Sequence, residues 1–148
     1  MACLISNQLC GISCVHYCEG LRCCAMGTCI EGGNLVAKRG GVAWIVAPAS
    51  SEVSRTWNCR ADAVTTAQSA FACGNWFIPS QEELELVAGC REFWDSPKAS
   101  SVFYISNSLS YQGGFQAAWS VVLCCGKVYN NRQTCLVDCV RAVRKVYY

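Results

Sequence analysis

The stretch Trp76-Phe77-Ile78-Pro79-Ser80-Gln81-Glu82-Glu83-Leu84 carries the clearest structural instruction in the chain. Ser80 and Glu83 stand three apart, the spacing of a capping box. The serine oxygen accepts from the Glu83 amide, and the Glu83 carboxylate reaches back to the Ser80 amide. Pro79 sits just ahead of the box. Leu84, Val87 and Ala88 then recur at helical spacing and form an apolar stripe. A capped helix therefore starts at Ser80. Glu82, Glu83 and Glu85 read as negative charge complementing the helix dipole, not as an acid–base pair held across a cleft.

Upstream, Asp62 to Phe71 reads as a second helix, with Val64, Ala67 and Phe71 on one face and Gly74-Asn75 breaking it. Before it, Val42 to Ala47 is an apolar run ended by Pro48, the pattern of a buried strand. Downstream the pattern changes to strands and turns. Val102 to Ile105 is aromatic and β-branched. Gly113-Gly114 marks a turn, Ala117 to Leu123 a strand, and Gly126 another turn. Thr134 to Val146 reads as one long terminal strand. Two helices followed by strands make an α+β class.

The 148 residues suit one domain with a small appendage. Charged residues are 15 % of the chain, below the roughly 25 % of an average soluble domain, and the net charge is only +2. That balance argues against a nucleic-acid binder, which carries a basic stripe. Disorder is excluded by 53 % hydrophobic residues and five Trp. No apolar run approaches the ~18 residues of a spanning helix, so no membrane span is expected.

Fourteen residues are cysteine. Seven lie early, at Cys3, Cys10, Cys14, Cys18, Cys23, Cys24 and Cys29; seven lie later, at Cys59, Cys73, Cys90, Cys124, Cys125, Cys135 and Cys139. All fourteen are disulfide candidates. Both groups are odd, so complete internal pairing requires a bridge between them. No C-x2-C occurs, which removes the usual zinc knuckle and the thioredoxin-type motif. Glu31-Gly32-Gly33-Asn34 reads as a flexible junction, dividing a Cys-rich module (1–32) from the main domain (33–148). The opening residues carry neither a basic n-region nor an apolar h-region. Disulfide chemistry without such a signal is expected of a phage virion protein, which meets oxidising surroundings after lysis.

The order of motifs from Gly33 to Val146 resembles the DUF1566 family, the domain type of the C-terminal part of the Legionella collagen-like adhesin. The resemblance rests on Gly41-Val-Ala-Trp-Ile-Val-Ala-Pro48, Thr56-Trp57-Asn58-Cys59, and Trp76 to Leu84. It continues through Tyr104-Ile-Ser-Asn-Ser108, Ala118-Trp119-Ser-Val-Val122 with Gly126, and Val140-Arg-Ala-Val-Arg144. Two positions depart from the family pattern: Phe77 stands for its Arg and Ile105 for its second aromatic. The resemblance implies a C-type-lectin-like domain with two helices and a twisted antiparallel sheet, preceded here by a small disulfide-rich module. It places Trp44, Trp76 and Trp119 in core motifs.

Candidate sites follow from residue type. His16, the only histidine, sits between Cys14 and Cys18, where bridges consume the thiols that a Cys–His nucleophile needs. No D-x-D-x-D calcium run occurs among the ten acidic residues. No catalytic residue, metal site or cofactor is expected. Trp57 and Trp94 fall in predicted loops and are candidates for surface stacking. Ser106 to Phe115 has the Tyr/Ser/Gly/Asn composition of an adaptable binding loop, which adds Asn107, Tyr111 and Phe115 to the candidate binding surface. Arg141 and Arg144 are expected to anchor the fold on carboxylates such as Glu83 or Asp138. The expected function is a non-enzymatic structural or adhesion protein of a phage virion (tail fibre, baseplate or capsid decoration). Its expected partners are other virion proteins, copies of itself and a host-surface glycan. The alternative is a secreted bacterial surface adhesin or filament subunit that binds glycans.

Overall fold

The computed structural model describes residues 24–72, 75–97, 102–112, 115–123 and 126–148, with the side chains of Gln112 and Phe115 outside the description. Cys3, Cys10, Cys14, Cys18, Cys23, Cys73, Cys124 and Cys125 lie outside the described residues, as do His16, Gly74 and the Gly113-Gly114 turn.

The class is α+β. The strands are β1 (Cys29–Ile30), β2 (Gly33–Arg39), β3 (Val42–Val46), β4 (Val53–Arg55), β5 (Phe103–Gln112), β6 (Phe115–Val122), β7 (Lys127–Gln133), β8 (Asp138–Val140) and β9 (Val143–Tyr147). Two α-helices lie between β4 and β5: α1 (Asp62–Ala70) and α2 (Gln81–Ala88). The strands form two sheets where one was expected. The first is antiparallel, in the order β1-β2-β3-β9; the second runs β4-β8-β5-β6-β7, with β5 and β8 parallel at Tyr104 and Cys139.

Strand β3 shows why the layers stack as they do. Its side chains alternate between two cores, as strand geometry requires. Ala43 and Ile45 face one cluster with Ala67, Phe71 and Trp76, on the α1 side. Trp44 and Val46 face the other, with Leu84, Val87 and Ala88 of α2 and with Tyr104 and Val121 of the second sheet. The first sheet is thus covered on both faces. A register shift between Leu35 and Ala37 lets Val36 and Ala37 join the α2 core together, while Leu35 faces α1.

The capping box at Ser80 forms as read. The Ser80 N–H donates to Glu83 Oε1 at 2.9 Å, and the Glu83 N–H donates to Ser80 Oγ at 3.2 Å. Leu84, Val87 and Ala88 are all buried. Helix α1 ends earlier than Gly74. Phe71 turns to extended backbone (φ −148°) and buries its ring, so packing stops the helix before the glycine.

Other expectations are corrected. The long terminal strand is split: residues 134–137 form a turn, and β8 and β9 join different sheets. Strand β7 occupies a stretch read only as following a turn. The junction Glu31-Gly32 is a tight two-residue turn joining β1 to β2, with φ of +56° and +86°, the left-handed pair of a type I′ hairpin. A Cβ on Gly32 would also lie 2.2 Å from the Phe71 ring. Ile30 is buried in the α1-side core, so β1 and β2 form one hairpin across the junction.

The arginines anchor the fold, but on other partners. Arg141 pairs with Glu52 at 2.8 Å, both side chains almost fully buried. The same carboxylate accepts from Tyr104 Oη at 2.5 Å. Arg141 also donates to the carbonyls of Asp95, at 2.6 Å, and Ser96. Arg144 pairs with Glu31, whose carbonyl accepts a second bond at 2.8 Å. Glu83 pairs instead with Lys145, and Asp138 with Arg132.

Deleting one member of the buried Arg141–Glu52 pair strands the other charge. Arg141→Ala is expected to lower unfolding stability by about 3–5 kcal/mol in urea denaturation. The double variant Arg141→Met with Glu52→Leu is expected to recover part of that loss. A single variant as stable as the parent would refute the assignment.

Candidate functional site

The segment before α2 is pinned by a reciprocal bridge to the last strand. Phe77 N–H donates to the Val143 carbonyl at 2.9 Å, and Val143 N–H returns the bond at 3.0 Å. Lys145 lies two residues further along β9, on the same face as Val143. Its Nζ lies 3.1 Å from Glu83 Oε2, 5.0 Å from the Trp44 ring centroid and 5.4 Å from that of Phe77. One Glu83 oxygen therefore caps the helix while the other holds Lys145.

Strand β5 forms the opposite wall. Its register with β6 shifts between Ile105 and Leu109, leaving Ser106, Asn107 and Ser108 as a bulge. The bulge docks on the entry to α2: Asn107 N–H donates to the Pro79 carbonyl at 2.7 Å, and Gln81 N–H donates to Ser108 Oγ at 2.9 Å. Ser106 Oγ donates to the Trp119 carbonyl at 2.9 Å. A bulge re-aims a side chain beside a site, and here it turns Asn107 to the lining of an open cleft of about 560 Å³. Trp76, Phe77, Ile78, Glu83 and Lys145 line the same cleft, with Val64 of α1.

Arg60 stands beside the lining and reaches it through Asn107. Its Nε donates to Asn107 Oδ1 at 2.6 Å and its Nη1 to the Trp57 carbonyl at 2.9 Å. Its guanidinium carbon lies 3.4 Å from the centroid of the Trp57 ring. The Trp57 Nε1–H donates to the Ser106 carbonyl at 3.0 Å. Partial burial pushes the Arg60 pKa down.

Of the expected surface residues, the structure brings together Trp57 and Asn107. Trp94 is corrected: it is 6 % exposed, donates to the Val87 carbonyl and packs edge-on to Tyr104, so it belongs to the core. Tyr111 is 71 % exposed but pairs with Gln116 near the far end of β5. Phe115 starts β6, and its side chain lies outside the description. The expected loop from Ser106 is mostly strand. Trp44 and Trp76 are buried, whereas Trp119 is half-buried. Sequence reasoning missed Arg60 and Lys145 as site residues. The first had a local signal, since it follows Trp57 by three residues, one helical turn.

The cysteines divide by chemistry. Cys24 is disulfide-bonded. Cys29, Cys59, Cys90 and Cys135 are thiols in this structure, Cys59 and Cys135 exposed. Cys139 is buried in the core. Burial, with Glu92 alongside, pushes the Cys90 thiol up. Among the described residues no group of three or more His, Cys, Asp or Glu side chains could hold a metal, and no helix is long and apolar enough to cross a membrane.

In comparisons with known proteins, no family model matches the chain and no curated protein matches it.

Burial pushes the Glu83 pKa up, but the Ser80 amide and hydroxyl and the Lys145 ammonium more than offset it, so the net shift is down. A lowered folded pKa gives stability that is present above the ordinary value of 4.5 and is lost as pH falls through the folded value. Thermal melts of the parent and Glu83→Gln are therefore expected to differ at pH 7 and to converge under acid. A gap that persists under acid would place the effect elsewhere.

Proposed function

We propose that the chain is a non-enzymatic adhesion and structural protein of a phage virion, built on a C-type-lectin-like domain. The observation that carries this reading is the cleft between α2, the β5 bulge and β9. Phe77 and Ile78 supply half-buried apolar surface, while Asn107 and the Glu83–Lys145 pair supply fixed polar groups. Few polar groups on an apolar wall are what a small-ligand site needs. All of them are held by backbone bridges or a helix cap, so they are preorganised. A saccharide fits this chemistry, with its C–H face on Phe77 and its hydroxyls on Asn107 and Glu83.

The virion setting is supported by the cysteine content and by the Cys24 disulfide, which call for oxidising surroundings. The disulfide-rich N-terminal module would brace the domain on other virion proteins or on copies of itself, leaving the cleft turned to a host-surface glycan.

Two measurements test this. Mass spectrometry of purified particles is expected to contain the protein, and its absence would end the virion assignment. On a glycan array, the full-length chain is expected to bind, and Asn107→Ala to weaken that binding about tenfold, one lost hydrogen bond to a ligand with its partner left bare. Undiminished binding by the Asn107→Ala protein would move the site away from this cleft.

A further inference from the structure

Arg60 differs in one respect from the arginines that anchor this fold. Arg55, Arg132, Arg141 and Arg144 each pair with a carboxylate. Arg60 has no carboxylate partner among the described residues. Its two bonds go to neutral oxygens, the Asn107 amide and the Trp57 carbonyl. It is nevertheless held in place, because the Trp57 ring lies against the guanidinium, 3.4 Å from its carbon to the ring centroid. Its Nη2 donates to no described residue. Asn107, its partner, lines the cleft, as does Val64 in the first turn of α1.

We infer that Arg60 is the acid-reading group of the cleft and that the ligand is a carboxylate-bearing saccharide, a uronate or sialate. This rests on the reading of the cleft as a ligand site. The argument is one of charge. Lys145 already has its counter-ion in Glu83, so it adds little net attraction for a ligand acid. Arg60 presents a partly desolvated positive charge with an unused N–H edge, already fixed in direction. A guanidinium matches the planar fork of a carboxylate, and the entropic cost of ordering it has been met by the Trp57 stack. The sugar ring would sit on Phe77 and Ile78, with its carboxylate turned toward Arg60. A merely structural role for Arg60, joining the Trp57 turn to the β5 bulge, would use the two bonds already made and would be indifferent to ligand charge.

The test is an array on which each uronate and sialate saccharide is printed as the free acid and as its methyl ester, with sulfated analogues beside them. The full-length chain is expected to bind the free acids at least about tenfold more tightly than the esters, the scale of a charge-assisted pair. The preference is expected to weaken as salt is raised. Arg60→Gln is expected to abolish the preference, so that free acids and esters are bound alike, and Arg60→Lys to keep part of it. Asn107→Asp provides a second route should Arg60 variants fold poorly, since it supplies the missing carboxylate to Arg60 in place. It too is expected to lose the acid preference. Equal binding of acids and esters would overturn this inference but leave the cleft as a saccharide site. A preference for sulfate over carboxylate would overturn the carboxylate class. No binding to any member would overturn both readings.

Discussion

Two hydrogen bonds between Phe77 and Val143 hold the walls of the cleft together. They join the strand-like entry of α2 to the last strand of the first sheet, residues far apart in the chain. Every wall of the cleft is referred to that bridge. It sets the depth at which Ser80 starts the helix, and so the place of Glu83. It sets the register that brings Lys145, two residues beyond Val143, over Phe77 and Trp44. The β5 bulge then docks on Pro79, the residue two beyond the bridge. An isolated bridge of this kind has no ladder on either side to reinforce it. Packing of Trp76 against Phe71 and Leu84 against the second sheet supplies the reinforcement.

Electrostatics in this fold is mainly an anchoring device. With few charges, the chain places Glu52 and Glu31 against arginines at points where distant segments meet, and Asp138 against Arg132 across the turn from β7 to β8. The Arg141–Glu52 pair is the most demanding, because both charges are buried and each must find full hydrogen bonding. Tyr104, Asp95 and Ser96 provide it. Arg144 serves a different purpose. It grips the backbone and side chain of Glu31, a non-glycine residue in the left-handed region, and so holds the turn joining β1 to β2. Against this pattern, Arg60 lies against the Trp57 ring with no carboxylate partner among the described residues.

Much of the scaffold was legible because its signals are local. The capping box at Ser80 acts over three residues, the stripe Leu84–Val87–Ala88 over one turn, and the apolar run at Val42 over a single strand. Each needs no knowledge of the rest of the chain. Errors appear where a distant partner overrides a local pattern. Trp94 looked like a loop tryptophan until the Val87 carbonyl and the Tyr104 ring took it inside. The Ser- and Asn-rich segment after Ile105 looked like a loop, yet pairing with β6 made it a strand. The valine-rich terminus looked continuous, but its two halves are claimed by different sheets.

The sequence by itself therefore determined the α+β class, both helices and the strand at the heart of the first sheet. These follow from spacing and side-chain type, which are properties of short windows. Only the tertiary structure decided which carboxylate each arginine meets, and which residues share the cleft. Arg60 and Asn107 are 47 positions apart, and Glu83 and Lys145 are 62 apart. Such pairs are chosen by strand register and by a bulge of three residues. A shift of one residue in a strand would turn Asn107 or Lys145 to the opposite face, and nothing local in the chain records which register wins.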